Sequence, residues 1–183
     1  MPNPPAQPGS STALPLAELL PGVWTLDAAA SSVKFSHKTM WGLVTVKGAF
    51  TELEGEGELP ESGAARGSVT VAAASVDTKH TKRDTHLRSA DFLDVGTHPS
   101  IVFTATQITP TGHDTVDIVG ELAVRGAQRP LSFSARALEA DDTAVVLTAE
   151  LTVDRTDFGL TWNQLGMMKG AAQLTLTLRF TRR

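Results

Sequence analysis

The feature that most limits the fold of this chain is an alternation of apolar and polar residues running from Val23 to the C-terminus. Its clearest example is the last segment, where single polar residues separate Leu174, Leu176, Leu178 and Phe180. Successive side chains of a β-strand point to opposite faces, so this period of two buries one face and exposes the other. We therefore predict a mainly β protein.

The alternation marks about eight main strands at close spacing, joined mostly by short turns. Short turns favour an antiparallel barrel or a sandwich, and an eight-stranded barrel can just enclose one small ligand. The acidic, glycine-rich stretch from Glu52 to Gly67 is expected to form a loop or a weak edge hairpin. The predicted strands lie at residues 33–38, 44–50, 68–76, 101–105, 116–124, 131–137, 145–153 and 174–180.

Many positions predicted to face inward carry small side chains. Small residues on an inner face leave room that leucine or phenylalanine would fill, which indicates a cavity; equally, they permit two sheets to pack tightly around a solid core. The alternation leaves both alternatives open. These positions are Gly48, Ala49, Ala73, Ala105, Gly120, Ala135 and Ala149.

The strand pattern is broken by the charged stretch from Ser75 to Phe103, which contains three of the five histidines. Thr81 and Asp84 resemble a capping box, and Asp84 with Arg88 forms a favourable i to i+4 pair, so we predict a short helix over residues 82–90 within an insertion at 79–93. His80 and His86 are six residues apart and do not share a helical face, so no metal site is expected. Asp84 and His86 could act as an acid/base pair, although ion pairing on the helix surface, which would steady the crossover, is the favoured explanation.

Three further residues are candidates for ligand contact. His37 alternates inward beside Phe35 near a strand end, where it is either a hydrogen-bonded core residue or a contact to the polar end of an apolar ligand. Trp41, in the adjacent turn, could cap the same opening. Arg155 lies in an acidic corner at residues 154–162, where it either pairs with these acids or meets an anionic head group.

Composition excludes several classes of function. The formal net charge of −4 argues against nucleic acid as a partner, and the lack of cysteine removes disulfides and thiolate chemistry. Common catalytic motifs such as GxSxG, HExxH and the phosphate-binding GKS/GKT are missing. No stretch is apolar for long enough to suggest a membrane span, and no cofactor is expected.

The first 21 residues contain six of the ten prolines and are predicted to form a disordered tail, followed by one domain at residues 22–183. The first basic residue is Lys34, so the charged start of a secretion signal is missing from the sequence as given. We expect a cytoplasmic location, or a secreted protein if a leader has been removed.

Five segments of the sequence, taken in order, resemble the YceI-like, polyisoprenoid-binding family. The resemblance covers Trp24 to the C-terminus and implies an extended, lipocalin-like antiparallel barrel of eight strands with a short helical insertion. It further implies a long isoprenoid held in an apolar tunnel, often in a homodimer, and no catalytic residues. The matching segments are WTLDAAASSVKFSHK (24–38), GLVTVKGAF (42–50), SVDTKHTKRDTHLRSADFLDVGTHPSIVF (75–103), GELAVRGAQRPL (120–131) and DRTDFGL (154–160).

The leading hypothesis is therefore a non-enzymatic protein that transports or sequesters a long apolar molecule, such as a polyisoprenoid or an isoprenoid quinone. Two alternatives remain: an enzyme with His37 or the Asp84/His86 pair as acid and base, and a dimeric, stress-related interaction protein with a solid core. The predicted ligand contacts are Phe35, His37, Trp41, Val44, Val46, Phe50, Phe103, Phe133, Leu147, Arg155, Leu174 and Leu176.

Overall fold

The alternating segments form a single antiparallel sheet that closes on itself. This computed structural model describes residues 14–168 and 170–183. In them the sheet has eleven strand segments, and one α-helix lies outside the sheet. The helix is α1 (Thr81–Arg88). The strand segments are β1 (Gly22–Leu26), β2 (Ser32–Thr39), β3 (Val44–Phe50), β4 (Leu53–Leu59), β5 (Ala65–Ala72), β6 (Val76–Asp77), β7 (Ser100–Pro110), β8 (Thr115–Val124), β9 (Ala127–Ala140), β10 (Ala144–Val153) and β11 (Ala172–Arg182).

Eight of these segments form a ring in the order β1-β4-β5-β7-β8-β9-β10-β11, which pairing of β11 with β1 closes. The other three segments, β2, β3 and β6, are continuations of β1, β4 and β5 beyond short interruptions. β2 pairs with β11 next to β1, and β3 pairs with both β2 and β6. The predicted all-β, eight-stranded antiparallel barrel with a short helical insertion is confirmed.

One part of the barrel differs from expectation. The stretch predicted to be a loop or weak edge hairpin instead supplies β4 and the start of β5, and both are full members of the ring. In β4, glycines and leucines occupy the partly buried face, while Glu54, Glu56 and Glu58 face solvent. The alternation is present here, but glycine replaces the apolar side chains that would have revealed it.

The helix begins one residue earlier than expected and is capped differently. His80 is the N-cap, and its Nδ1 accepts a hydrogen bond from the backbone N–H of Arg83 at 3.3 Å. Asp84 does not form the predicted capping box; it is buried and accepts hydrogen bonds from the backbone N–H and hydroxyl of Thr78 at 2.9 and 2.5 Å. Arg88 donates to backbone carbonyls of residues 74 and 76 rather than to Asp84. These bonds hold α1 against the strand that precedes it.

The segment before β1 is folded onto the barrel. Of the predicted disordered tail, residues 1–13 lie outside the described residues, whereas residues 14–21 pack against one end of the ring. Leu14 donates its N–H to the carbonyl of Ala140 at 2.9 Å, and Leu16 donates to the carbonyl of His113 at 3.1 Å. The Leu16 side chain is buried, because it reaches the apolar interior between the strands.

Candidate functional site

The barrel interior holds an apolar cavity of about 910 Å³. The inward faces of nearly all strands of the ring form its walls, so the cavity follows the barrel axis. The strands provide apolar side chains along the length of the cavity. On β7 to β11 these side chains include Ile101, Phe103, Ile108, Ile118, Leu122, Val124, Leu131, Phe133, Val145, Leu147, Leu151, Val153, Leu174, Leu176, Leu178 and Phe180.

Small residues open this space in some places and close it in others. Ala105, Ala135 and Ala149 are buried and line the cavity. Gly48 and Gly120 serve packing instead: a Cβ at Gly120 would lie 2.8 Å from the ring of Phe103, and one at Gly48 would lie 2.5 Å from the ring of Phe35. Of the two alternatives left open by the small residues, the cavity is therefore correct for the middle of the barrel.

One end of the cavity is covered by residues 16–21, which contribute Leu16, Leu19 and Pro21 to its wall. The rim beside this segment is acidic, because β4 and its turn place Glu56, Glu58 and Glu61 there. Arg66 pairs with Glu58 at 2.6 Å across the exposed β4–β5 ladder. Trp24, on β1 near this rim, is buried, and its indole N–H has no hydrogen-bond partner among the described residues.

The opposite end of the cavity is formed by a 3₁₀ turn at Arg155–Phe158, which follows β10. The Asp154 side chain accepts hydrogen bonds from the backbone N–H and hydroxyl of Thr156 at 2.9 and 2.6 Å, which caps the turn. The hydrogen bond from the Thr156 hydroxyl, then that from its backbone N–H, lowers the pKa of Asp154 below 3.8. This cap fixes the direction in which Arg155 leaves the strand.

Arg155 is the basic residue at this end of the cavity wall, and it is 9 % exposed. Its Nη1 donates to the backbone carbonyls of Leu160 and Trp162, the latter at 2.9 Å. Burial lowers the pKa of the guanidinium, while the nearby Asp154 charge opposes that shift. Arginine nevertheless stays protonated in proteins, so the site places a cation beside an apolar space.

Seven of the predicted contacts lie in the cavity wall and five do not. The wall contains Phe50, Phe103, Phe133, Leu147, Arg155, Leu174 and Leu176. The other five belong to the β2–β3 hairpin, whose outer part extends beyond the cavity; they are Phe35, His37, Trp41, Val44 and Val46.

The hairpin residues have other surroundings. The Phe35 ring packs against that of Phe50, with centroids 5.6 Å apart. His37 is buried, and its Nε2 lies 3.1 Å from the carbonyl oxygen of Gly170. Trp41 is 56 % exposed and Val44 is 42 % exposed, so both side chains face solvent. Alternation assigned Phe35 and His37 to the inner face correctly, but that face holds no cavity at their level.

The Asp84/His86 pair is not assembled as an acid/base pair. Asp84 is turned to Thr78, whereas His86 lies 3.3 Å from Asp91 and packs edge-on against Trp162 at 4.5 Å between ring centroids. Neither residue lines the cavity. Within residues 14–168 and 170–183, no group of three histidine, aspartate or glutamate side chains is placed to hold a metal ion.

Sequence reasoning missed the covering segment and the contribution of β8. Ile118, Leu122 and Val124 carry the alternation and could have been included on that ground. Nothing in the proline-rich start of the chain marked Leu16 as a core residue.

Among the described helices, none has the length and apolar character needed to cross a bilayer.

Comparison with known proteins gives a consistent result. The model of the YceI-like domain matches residues 24–181. A UPF0312 protein of Azotobacter vinelandii is 39 % identical over 107 residues, which cover 56 % of this chain and 53 % of that protein. The matched stretch thus spans about half the length of this relative, and the same holds for its counterpart from Ectopseudomonas mendocina.

Two solved structures share the fold. BcnA from Burkholderia cenocepacia superposes with a TM-score of 0.75 at 20 % identity, covering 84 % of this chain and 98 % of that one. A polyisoprenoid-binding domain from Saccharophagus degradans superposes with a TM-score of 0.72 at 17 % identity, covering 87 % and 98 %. At these identities the likeness establishes the barrel fold.

Proposed function

The chain belongs to the YceI-like family, and from this premise we propose that it binds one long apolar molecule of the isoprenoid class along the barrel axis. In this proposal the protein carries or sequesters the molecule and does not transform it. The observation that carries the proposal is the apolar cavity of about 910 Å³, which lies within the ~300–1,000 Å³ typical of ligand pockets. The neighbour from Saccharophagus degradans, a polyisoprenoid-binding domain, supports the same ligand class.

The dimensions of the cavity favour an elongated ligand. Val145 and Val153 both line it and stand eight residues apart on β10. At a rise of about 3.3 Å per residue and a strand tilt of about 40°, this span covers roughly 20 Å along the barrel axis. A narrow space of that length suits a single hydrocarbon chain, whose burial contributes about 25 cal/mol per Å² of apolar surface.

We further propose that Arg155 contacts a phosphate or another oxygen-rich head group of the ligand. None of the ion pairs among the described residues involves Arg155, and its two hydrogen bonds both use Nη1. A guanidinium has five N–H donors, so it has further donors for an anion. The polar end of the ligand would then lie at the Arg155–Phe158 turn, and its tail would point towards Leu16.

The position of the candidate acid/base groups favours binding over catalysis. His37, Asp84 and His86 lie outside the cavity wall, so none of them would reach a substrate held inside it. Alanine substitution of His37 or His86 is therefore expected to leave ligand affinity unchanged. The homodimer suggested by the resemblance stays a prediction, for which analytical ultracentrifugation is the test.

The proposal is tested with purified protein in two steps. Organic extraction followed by mass spectrometry is expected to return a prenyl lipid, and the delipidated protein is expected to rebind prenyl phosphates with an affinity that rises with chain length. Arg155→Met should weaken prenyl phosphate binding by about tenfold or more, since a charge-assisted hydrogen bond is worth about 1.5–3 kcal/mol. Arg155→Lys, which keeps the charge, is the control and should lose less.

Two results would refute these proposals separately. A failure to extract or rebind any prenyl lipid would refute the ligand class. Equal binding of prenyl phosphates by wild-type protein and Arg155→Met would refute only the role of Arg155.

A further inference from the structure

Two neighbouring turns present apolar side chains to solvent at the Arg155 end of the barrel, opposite residues 16–21. The first, Met40–Gly42, joins β2 to β3, and the second is Gln164–Gly166. The backbone N–H of Trp41 donates to the carbonyl of Met167 at 3.1 Å, which ties the two turns together. We call residues 40–44 and 164–166 the hydrophobic tip.

The side chains of the tip are far more exposed than is usual for their type. Leu43 is 85 % exposed and Leu165 79 %, while Trp41, Met40 and Val44 are 56, 46 and 42 % exposed. Of the nine large apolar side chains that are exposed among the described residues, these five lie in the tip. Exposed apolar residues scattered singly need no explanation, but a cluster marks an interaction surface.

The backbone of the tip is held in an unfavourable conformation. Met40, Trp41 and Leu165 have φ values of 50°, 56° and 54°, in the left-handed region that bulky residues avoid. Glycine would adopt these angles at no steric cost, so the presence of large apolar residues there calls for a reason other than chain reversal. Contact of these side chains with a partner is such a reason.

The charge around the tip identifies the kind of partner. The chain carries a net charge of −4, yet no acidic residue occurs between Asp27 and Glu52 or after Asp157. Lys38 and Lys47 are exposed on one face of the β2–β3 hairpin, beside the tip. An apolar tip flanked by lysines complements a bilayer surface that contains anionic lipids.

We propose that the hydrophobic tip docks on the surface of a lipid bilayer, with Trp41, Leu43 and Leu165 in the interfacial region and Lys38 and Lys47 near anionic head groups. Tryptophan favours this region because its ring is apolar and its N–H is polar. The inference goes beyond ligand binding in the cavity and does not depend on it.

A second copy of the chain is a less suitable occupant of this surface. A two-fold contact through the tip would bring together Lys38 and Lys47 of both copies, with no acidic residue in the β2–β3 hairpin to neutralise them. Like charges placed opposite one another destabilise such a contact. The bilayer supplies the opposite charge.

The experiment is vesicle co-sedimentation of the full chain, using phosphatidylcholine vesicles with and without phosphatidylglycerol. Trp41→Ser/Leu43→Ser should lower the partition coefficient by about tenfold or more on mixed vesicles, since both side chains lose apolar burial. Lys38→Gln and Lys47→Gln should each cause a loss of about fivefold that needs phosphatidylglycerol and disappears at high salt. Leu138→Ser is the matched control, because Leu138 is 53 % exposed on β9, away from the tip, and this variant should bind as wild type does.

Circular dichroism and Tm establish that each variant is folded, so a loss of binding reports on the surface. The inference is overturned if wild-type protein binds neither kind of vesicle, or if Leu138→Ser loses as much affinity as the tip variant. It is also overturned if, without vesicles, wild-type protein is a dimer that Trp41→Ser/Leu43→Ser dissociates, since the tip would then be an interface between copies. Binding of a short prenyl alcohol in solution should be the same in wild type and tip variant, which separates this test from that of the cavity.

Discussion

Replacing Ala149 with phenylalanine would place an aromatic ring inside the cavity at mid-barrel. Ala149 is 7 % exposed, lines the cavity from β10, and pairs with Leu176 of β11, which also lines it. It lies halfway along β10 between Val145 and Val153, which both line the cavity. A ring at this position would interrupt the path of a long ligand.

The size of the cavity sets the expected effect on stability. A cavity of ~150 Å³ is enough to hold benzene, so one ring would occupy roughly a sixth of the 910 Å³ available. The ring therefore fits without moving the walls, and its burial contributes about 1.5–3 kcal/mol against the side-chain entropy that it loses. We expect Ala149→Phe to leave the free energy of unfolding unchanged within about 1 kcal/mol, or to raise it.

Ala137→Phe is the matched control. Ala137 is also 7 % exposed and belongs to the core, but it does not line the cavity. A ring there has no space, and overpacking of this kind costs about 1–3 kcal/mol. For a domain of this size the cost lowers Tm by about 2–12 °C.

Thermal unfolding of both delipidated variants, together with titration of a long prenyl lipid, is the assay. We expect Ala149→Phe to keep or raise its Tm and to bind the long lipid at least about tenfold more weakly, which corresponds to about 1.4 kcal/mol. Equal destabilisation by the two substitutions would show that the middle of the barrel is solid. Wild-type affinity in a stable Ala149→Phe protein would show that the ligand does not pass this level.

Three further predictions concern the rim, the packing and the cap. Leu16→Asp should speed the release of bound lipid in a stopped-flow experiment, because an unpaired carboxylate cannot stay buried. Leu20→Asp is the control and should change the release rate little, since Leu20 is already 39 % exposed. Gly120→Ala should destabilise the fold by about 1–3 kcal/mol in chemical denaturation, since the new methyl would overlap Phe103 and the Thr104 carbonyl; a stabilised variant would contradict this packing. The pKa of Asp154 is lowered from 3.8 in the folded protein, so its charge stabilises the fold above pH 3.8, and this contribution is lost as the pH falls through the lower folded pKa. The difference in free energy of unfolding between wild-type protein and Asp154→Asn should therefore shrink below pH 3.8. A difference that does not depend on pH would contradict the charged cap.

The barrel could be predicted because its interior is apolar and its exterior is polar along nearly every strand. Leu174 to Phe180 and Val145 to Val153 show this directly, and both are strands of the ring. β4 was underestimated because its inner face uses Gly55 and Gly57, which give no hydrophobic signal. A Cβ at Gly55 would lie 2.7 Å from the Ser68 carbonyl oxygen, so close approach of the strands requires glycine there.

The candidate site was predicted only in part, because alternation gives the face of a strand and not its level along the barrel. Phe50 and Phe35 share a face of the β2–β3 hairpin, yet Phe50 lines the cavity and Phe35 does not. Which level contains the cavity depends on the lengths and stagger of all eight strands. These are set by pairing between residues far apart in the sequence.

Side-chain partners in the insertion were the least predictable feature. Thr81 with Asp84 fits the capping box pattern, but Asp84 binds Thr78 and His80 caps the helix. A local sequence pattern identifies possible hydrogen-bond partners. Which of them pair depends on which side chains become buried in the folded protein. Leu16 shows the same limit, because its burial depends on the barrel end that it covers.

The central claim is that the barrel binds one long apolar molecule in its cavity. Native mass spectrometry of delipidated protein, incubated with prenyl phosphates of increasing chain length, tests it most directly. We expect a single added mass per chain, with an occupancy that rises with prenyl length and is lost in Ala149→Phe. Absence of any added mass at saturating lipid, or an occupancy unaffected by Ala149→Phe, would contradict the claim.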